Sequence, residues 1–91
     1  MTGRLIQLTV GAVATPIATA TTPFNQMVVQ NSGTTACLLG DATVTTGKGI
    51  VVPISTAVLP PVTIGPFSGI QGDASQFYLF GSTAVVNVLL V

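Results

Sequence analysis

The sequence predicts an all-β fold: a single small β-sandwich, jelly-roll or immunoglobulin-like, carrying an extended N-terminal arm. Three observations carry this. Val, Ile and Thr dominate, residues whose branched side chains fit a pleated surface, while Glu is absent and no stretch repeats apolar residues at helical spacing. Ten glycines and six prolines cut the chain into short pieces. Turn signals recur every about 8–12 residues, the rhythm of small sandwiches.

The first strand is expected over Arg4 to Ala14, with Ile6, Leu8 and Val10 on one face and Leu5, Gln7 and Thr9 on the other. "TPIATATTP", Thr15 to Pro23, has two prolines and no turn glycine, so it reads as an extended, weakly paired arm or edge segment. The division expected is therefore residues 1–23 as strand and arm, and 24–91 as the sandwich. Phe24 to Gln30 is a strand in which Met27 and Val29 oppose Val28 and Gln30. "NSG" at 31–33 is a turn with Gly33 free to take positive φ. Strands follow at Thr34 to Leu39, Ala42 to Thr46 and Ile50 to Ile54, separated by Gly40-Asp41 and by "GKG" at 47–49. From Leu59 the run "LPPVTIGPF" is an irregular loop with a brief strand at Val62 to Ile64. "GIQGD" turns the chain at 69–73, and Gln76 to Phe80 is an aromatic strand. Gly81-Ser82 is expected to link it to the last strand, Thr83 to Val91, as a type II′ hairpin. Val88, Leu89, Leu90 and Val91 cannot all face one core. That strand is either central in its sheet or part of a subunit interface.

A chain of 91 residues makes one domain, or one domain with an arm. At this size folding buries only about 60–65% of the unfolded surface. Cys37 is the sole cysteine, so no disulfide forms within the monomer, and it reads as a small buried hydrophobe. Charge is the anomaly. Arg4, Lys48, Asp41 and Asp73 make up 4% of the chain, against about 25% in ordinary soluble domains. A neutral domain of this kind is expected to associate. Two basic residues cannot neutralise a phosphate backbone, which argues against nucleic acid as a partner.

No window holds the about 18 apolar residues that a spanning helix needs, and the chain is too short for a transmembrane barrel, so no membrane partner is expected. Arg4, the apolar run from Leu5 and "ATA" at 18–20 imitate a secretory leader in outline. The run is broken by Gln7 and Thr9, and the segment is expected to remain as structure.

Catalysis fails at the inventory. His and Glu are absent, and Cys37 has no base or second thiol to activate it, so the chain is not expected to be an enzyme. Asp41 and Asp73 each stand in "GDA", where a short carboxylate accepts backbone N–H bonds two residues on. Two aspartates and one thiol do not make a metal shell, and "GKG" lacks the spacing of a phosphate loop. No catalytic, cofactor-binding or metal residue is expected, and no cofactor. Lys48 is expected at the solvated tip of a turn. The alternating threonines of "TATT" and "TVTT" lack the long repeat that an ice-binding face requires.

"VVQNSGTTACLLGDATVTTGKGIVVPI", with "FYLFGSTAVVNVLLV" closing the chain, resembles small β-sandwich accessory proteins on the virions of tailed bacteriophages. The resemblance covers residues 27–91 and consists of turn-and-strand patterns. It implies a structural protein that binds and stabilises the capsid, a decoration or cement protein, made in the host cytoplasm and located on the virion. The implied partners are the major capsid protein or other virion proteins and further copies of the chain, with a trimer as the first expectation. Contact is expected through the segment outside the resemblance, at Arg4, Leu5, Pro16, Ile17, Pro23 and Phe24. Two alternatives stand beside it. One is a head or tail fibre or spike module that binds a receptor or carbohydrate, which needs an exposed aromatic cluster. The other is a β-structural subunit that self-assembles by strand addition, which needs an unpaired strand edge.

Overall fold

The structure, a computed structural model, describes residues 3–56, 61–82 and 84–91. Among these residues the strands are β1 (Arg4–Val10), β2 (Thr15–Pro16), β3 (Pro23–Phe24), β4 (Met27–Asn31), β5 (Cys37–Gly40), β6 (Ile50–Val52), β7 (Val62–Ile64), β8 (Gly72–Asp73), β9 (Tyr78–Phe80) and β10 (Ala84–Leu90). A single 3-10 turn, Ala74–Gln76, precedes β9.

Their pairing is nested. β1 pairs with β10, β2 with β9, β3 with β8, β4 with β7 and β5 with β6, every pair antiparallel. The chain is thus one long ribbon doubled back at the turn between β5 and β6. Two further antiparallel pairings, β10 with β4 and β9 with β5, roll the ribbon up. The result is two four-stranded sheets, β1-β10-β4-β7 and β2-β9-β5-β6, with the two-stranded β3-β8 beside them. The body measures 34 × 30 × 20 Å.

Period-2 alternation builds the core. Met27, Val29 and Asn31 of β4 are buried, as are Ala84, Val86, Val88 and Leu90 of β10. Cys37, Leu39, Val52 and Leu79 come from the second sheet into the same cluster. Ile6 and Leu8 of β1 are half-buried against it, and Val10 is fully buried. At one end Phe24 meets Phe67 and Phe77, with ring centroids 5.7 and 5.6 Å apart. Gly72 leaves room for that cluster, since a Cβ there would stand 2.6 Å from the Phe24 ring. The "VLLV" question resolves by position: β10 is central in its sheet, with Val88 and Leu90 inward and Leu89 outward.

Several expectations are corrected. Residues 15–23 are no free arm. The strand before them pairs with β10 through seven residues, Ile17 N–H donates to Phe77 O at 2.9 Å, and Ile17 is buried. Of the two readings open for that stretch, the edge segment holds: β2 lies at the edge of its sheet, where the missing N–H of Pro16 costs nothing. Gly81-Ser82 is not a hairpin, because β9 and β10 belong to different sheets and the link crosses between them. Gly81 is needed there for space, since a Cβ would stand 3.0 Å from Cys37 Cβ. Ala42 to Thr46 is not a strand. Asp41 turns the backbone first, and only Thr45 bridges to Lys48. Gly33 has no positive φ; a Cβ there would press on Ala84 Cα at 3.0 Å. Gln76 and Phe77 precede β9, because Asp73 caps the 3-10 turn. The expectations at Leu59, Pro60 and Thr83 lie outside the described residues, as do Met1 and Thr2.

Candidate functional site

Chemistry-bearing side chains are few, so each can be followed to its place. Asn31 is a fully buried polar residue at the end of β4. Its Nδ2 donates to Thr35 O at 2.8 Å and to Val52 O at 3.2 Å, and its Oδ1 accepts from Gly33 N–H at 2.9 Å. One amide thereby ties β4 to β6 of the other sheet and holds the intervening turn. Cys37 Sγ lies 3.8 Å from the same Nδ2. The thiol is 1% exposed, and burial pushes its pKa up, which leaves it a neutral packing group and a poor nucleophile.

Both aspartates serve turns. Asp41 Oδ1 accepts from the hydroxyl and backbone N–H of Thr43, and these bonds hold its carboxyl below the usual carboxylate range, with a smaller pull from Lys48. Asp73 Oδ1 accepts from Thr22 N–H at 3.0 Å, Ser75 N–H at 2.9 Å and Ser75 Oγ at 2.8 Å, which lower its pKa in the same way. The bond to Thr22 is long-range and fastens the stretch before β3 to β8. No group of three or more His, Cys, Asp or Glu gathers to hold a metal ion among the described residues. Among them, too, no helix is long and apolar enough to cross a membrane.

What the fold presents outward is uncharged surface. On the outer face of the first sheet, Gln7 Nε2 donates to Asn87 Oδ1 at 3.0 Å, and Asn87 Nδ2 donates to Gln30 Oε1 and Ser32 Oγ, both at 3.3 Å. This amide row crosses β1, β10 and β4. An apolar row lies beside it, Leu5, Leu89 and Val28 in register, and Thr9 and Val85 flank the other side. On the second sheet Leu38 stands between Phe80 and Val51, and Val51 is 58% exposed. Leu38 and Phe80 line a shallow depression of about 340 Å³ on that face. A groove of about 320 Å³ runs between β1 and residues 16–22, with Arg4 at its edge and Ile6 and Leu8 along it.

The six residues expected to contact neighbours separate by exposure. Arg4, Leu5 and Pro23 are exposed and Pro16 is half-buried. Ile17 and Phe24 are core residues, so they are not available to a partner; their apolar side chains fill the body that the supposed arm completes. The amide row escaped sequence reading because Gln7, Gln30 and Asn87 become neighbours only through strand pairing. From the sequence Asn31 reads as a turn residue, the commoner setting of Asn-Ser-Gly, and nothing local marks its burial. No family model matches the chain, and no curated protein or solved structure matches it either.

Proposed function

We propose that this chain is a structural subunit that works by packing, as a decoration or cement protein on the capsid of a tailed bacteriophage, and that its fold is a jelly roll. The observation that carries it is the surface: two outer sheet faces bearing Leu5, Val85, Leu89 and Val51, exposed apolar residues in a chain with only four charged side chains. Contiguous uncharged surface of this kind is suited to burial against another protein. Support for the fold comes from the nested pairing, since an antiparallel ribbon rolled into two four-stranded sheets is how a jelly roll is wound. Jelly rolls build viral capsid domains and lectins alike, so fold alone does not choose between them. The absence of any aromatic among the exposed large hydrophobic residues described favours packing over saccharide binding.

Quantitative mass spectrometry of virions purified from the host that carries this gene tests the reading. A decoration protein is present in copy numbers that scale with the major capsid protein. A few copies per virion would move the chain to the tail, and none would end the virion reading.

A further inference from the structure

We infer that β1 pairs, antiparallel and across a two-fold axis, with β1 of a second copy of this chain. The backbone shows which groups are on offer. Ser32 N–H donates to Val85 O, and Gln26 and Val91 exchange bonds, so the odd-numbered residues of β10 turn their polar groups toward β4. The even-numbered ones therefore turn toward β1, onto Arg4, Ile6, Leu8 and Val10. That leaves the N–H and C=O groups of Leu5, Gln7 and Thr9 pointing off the sheet, without a protein partner among the described residues. An unpaired edge is a template for another strand, and β1 has no proline to blunt it.

The side chains say which strand fits. The amide row from Gln30 through Asn87 ends at the edge, on Gln7. Gln7 Nε2 uses one N–H on Asn87, while its second N–H and its Oε1 have no partner among the described residues. A second Gln7 across the axis supplies both, each amide donating to the other, and the row continues unbroken from one copy into the next. The same register sets Leu5 opposite Thr9 of the second copy and yields about six backbone hydrogen bonds, two for each facing pair. The half-buried Ile6 and Leu8 then face Leu8 and Ile6 of the second copy, so the core continues under the joined sheets. Arg4 comes opposite Val10 rather than another cation, and a net charge of zero removes long-range repulsion. A shift by two residues keeps backbone bonding and breaks the amide row, which is why this register is preferred. The contact is isologous and closes as a dimer, unlike the threefold arrangement that the resemblance implied. It concerns copies of the isolated chain and does not depend on the virion reading.

Sedimentation velocity of the intact chain over a dilution series tests it. Strand pairing with a small buried area is a weak contact, so a concentration-dependent monomer–dimer shift is expected. Gln7→Lys sets two ammonium groups face to face and should weaken the dimer by about tenfold or more. Thr9→Pro removes an outward N–H without touching the bonds to β10, and should weaken pairing while the folded spectrum is kept. Gln7→Cys puts two thiols across the axis at a Cα separation of about 5.5 Å, within disulfide range, so mild oxidation should link the chains. Val51→Cys, on the other sheet, should not link. A chain that stays monomeric up to about 1 mM overturns the inference. So does a dimer that survives Gln7→Lys and Thr9→Pro, or one that Val51→Lys dissolves instead. Virion binding is scored separately: an intact chain that stays monomeric yet binds virions sinks the pairing alone, and a dimer absent from virions sinks the virion reading alone.

Discussion

Removing the Asn31 amide should be among the most damaging single changes outside the apolar core. Asn31→Ala deletes three hydrogen bonds, of 2.8, 3.2 and 2.9 Å. Val52 O is left inside the core without that donor, at a cost of about 1–3 kcal/mol, while Thr35 O and Gly33 N–H lie nearer solvent and cost about 0.5–1.5 kcal/mol each. The sum is about 2–6 kcal/mol, against a total stability of about 5–14 kcal/mol for a chain of this length. At about 4–8 °C per kcal/mol for a domain of this size, thermal unfolding followed by circular dichroism should show a drop of at least about 8 °C. Asn31→Asp sharpens the test, because it sets a carboxyl oxygen against two carbonyls. Burial and those carbonyls raise the folded-state pKa of the new carboxyl above its unfolded value of about 3.9. The variant should therefore be least impaired near pH 3, where the neutral carboxyl donates, and lose stability as pH rises through that window. An Asn31→Ala variant within about 1 kcal/mol of the wild type would refute the idea that this amide clamps the two sheets together.

The native aspartates should give the opposite pH dependence. Hydrogen bonds depress both carboxyls, so their stabilisation is present above the ordinary carboxylate range and lost as pH falls through the folded-state values. Urea titrations of the wild type should show stability falling below about pH 4, and Asn at both 41 and 73 should flatten that limb. Asp73→Ala should destabilise more than Asp41→Ala, because only Asp73 holds a residue distant in sequence, Thr22. Gly65 has φ +91, and a Cβ there would stand 2.5 Å from Asn25 O, so Gly65→Ala should cost at least about 2 kcal/mol in the same titration. Cys37 should resist a thiol reagent in the native protein and react in full once denaturant is added; rapid native labelling would contradict its burial.

Local pattern made part of this fold legible. The alternation at Ile6, Leu8 and Val10 marks the inward face of β1, and Val62 to Ile64 reads as a strand between prolines and is one. The mixed run at Val88 to Val91 pointed to a central strand or an interface, and β10 is central. What failed depends on contacts far apart in sequence. Gly81-Ser82 looks like a hairpin because the signal is local, whereas the sheet each neighbouring strand joins is set by β1, β4 and β5. Pro16 and Pro23 fit an arm and an edge segment equally, because proline leaves ladders unpaired in both, and only the pairing of β2 with β9 decides for the edge. Ala42 to Thr46 alternates like a strand, but the Asp41 carboxylate captures Thr43 and turns the chain first. Of the surface, Leu5 is 70% exposed, as its place opposite Ile6 and Leu8 in the alternation implies, while the amide row needs the register of three strands before it can be seen.

Cryo-electron microscopy of virions purified from the host that carries this gene tests the central proposal most directly. Density for the rolled two-sheet body is expected on the outer capsid surface, repeated with the capsid lattice, its uncharged sheet faces covered by capsid protein or by further copies. Virions whose capsid surface carries no such density, from cells in which the chain is abundant and folded, would contradict it.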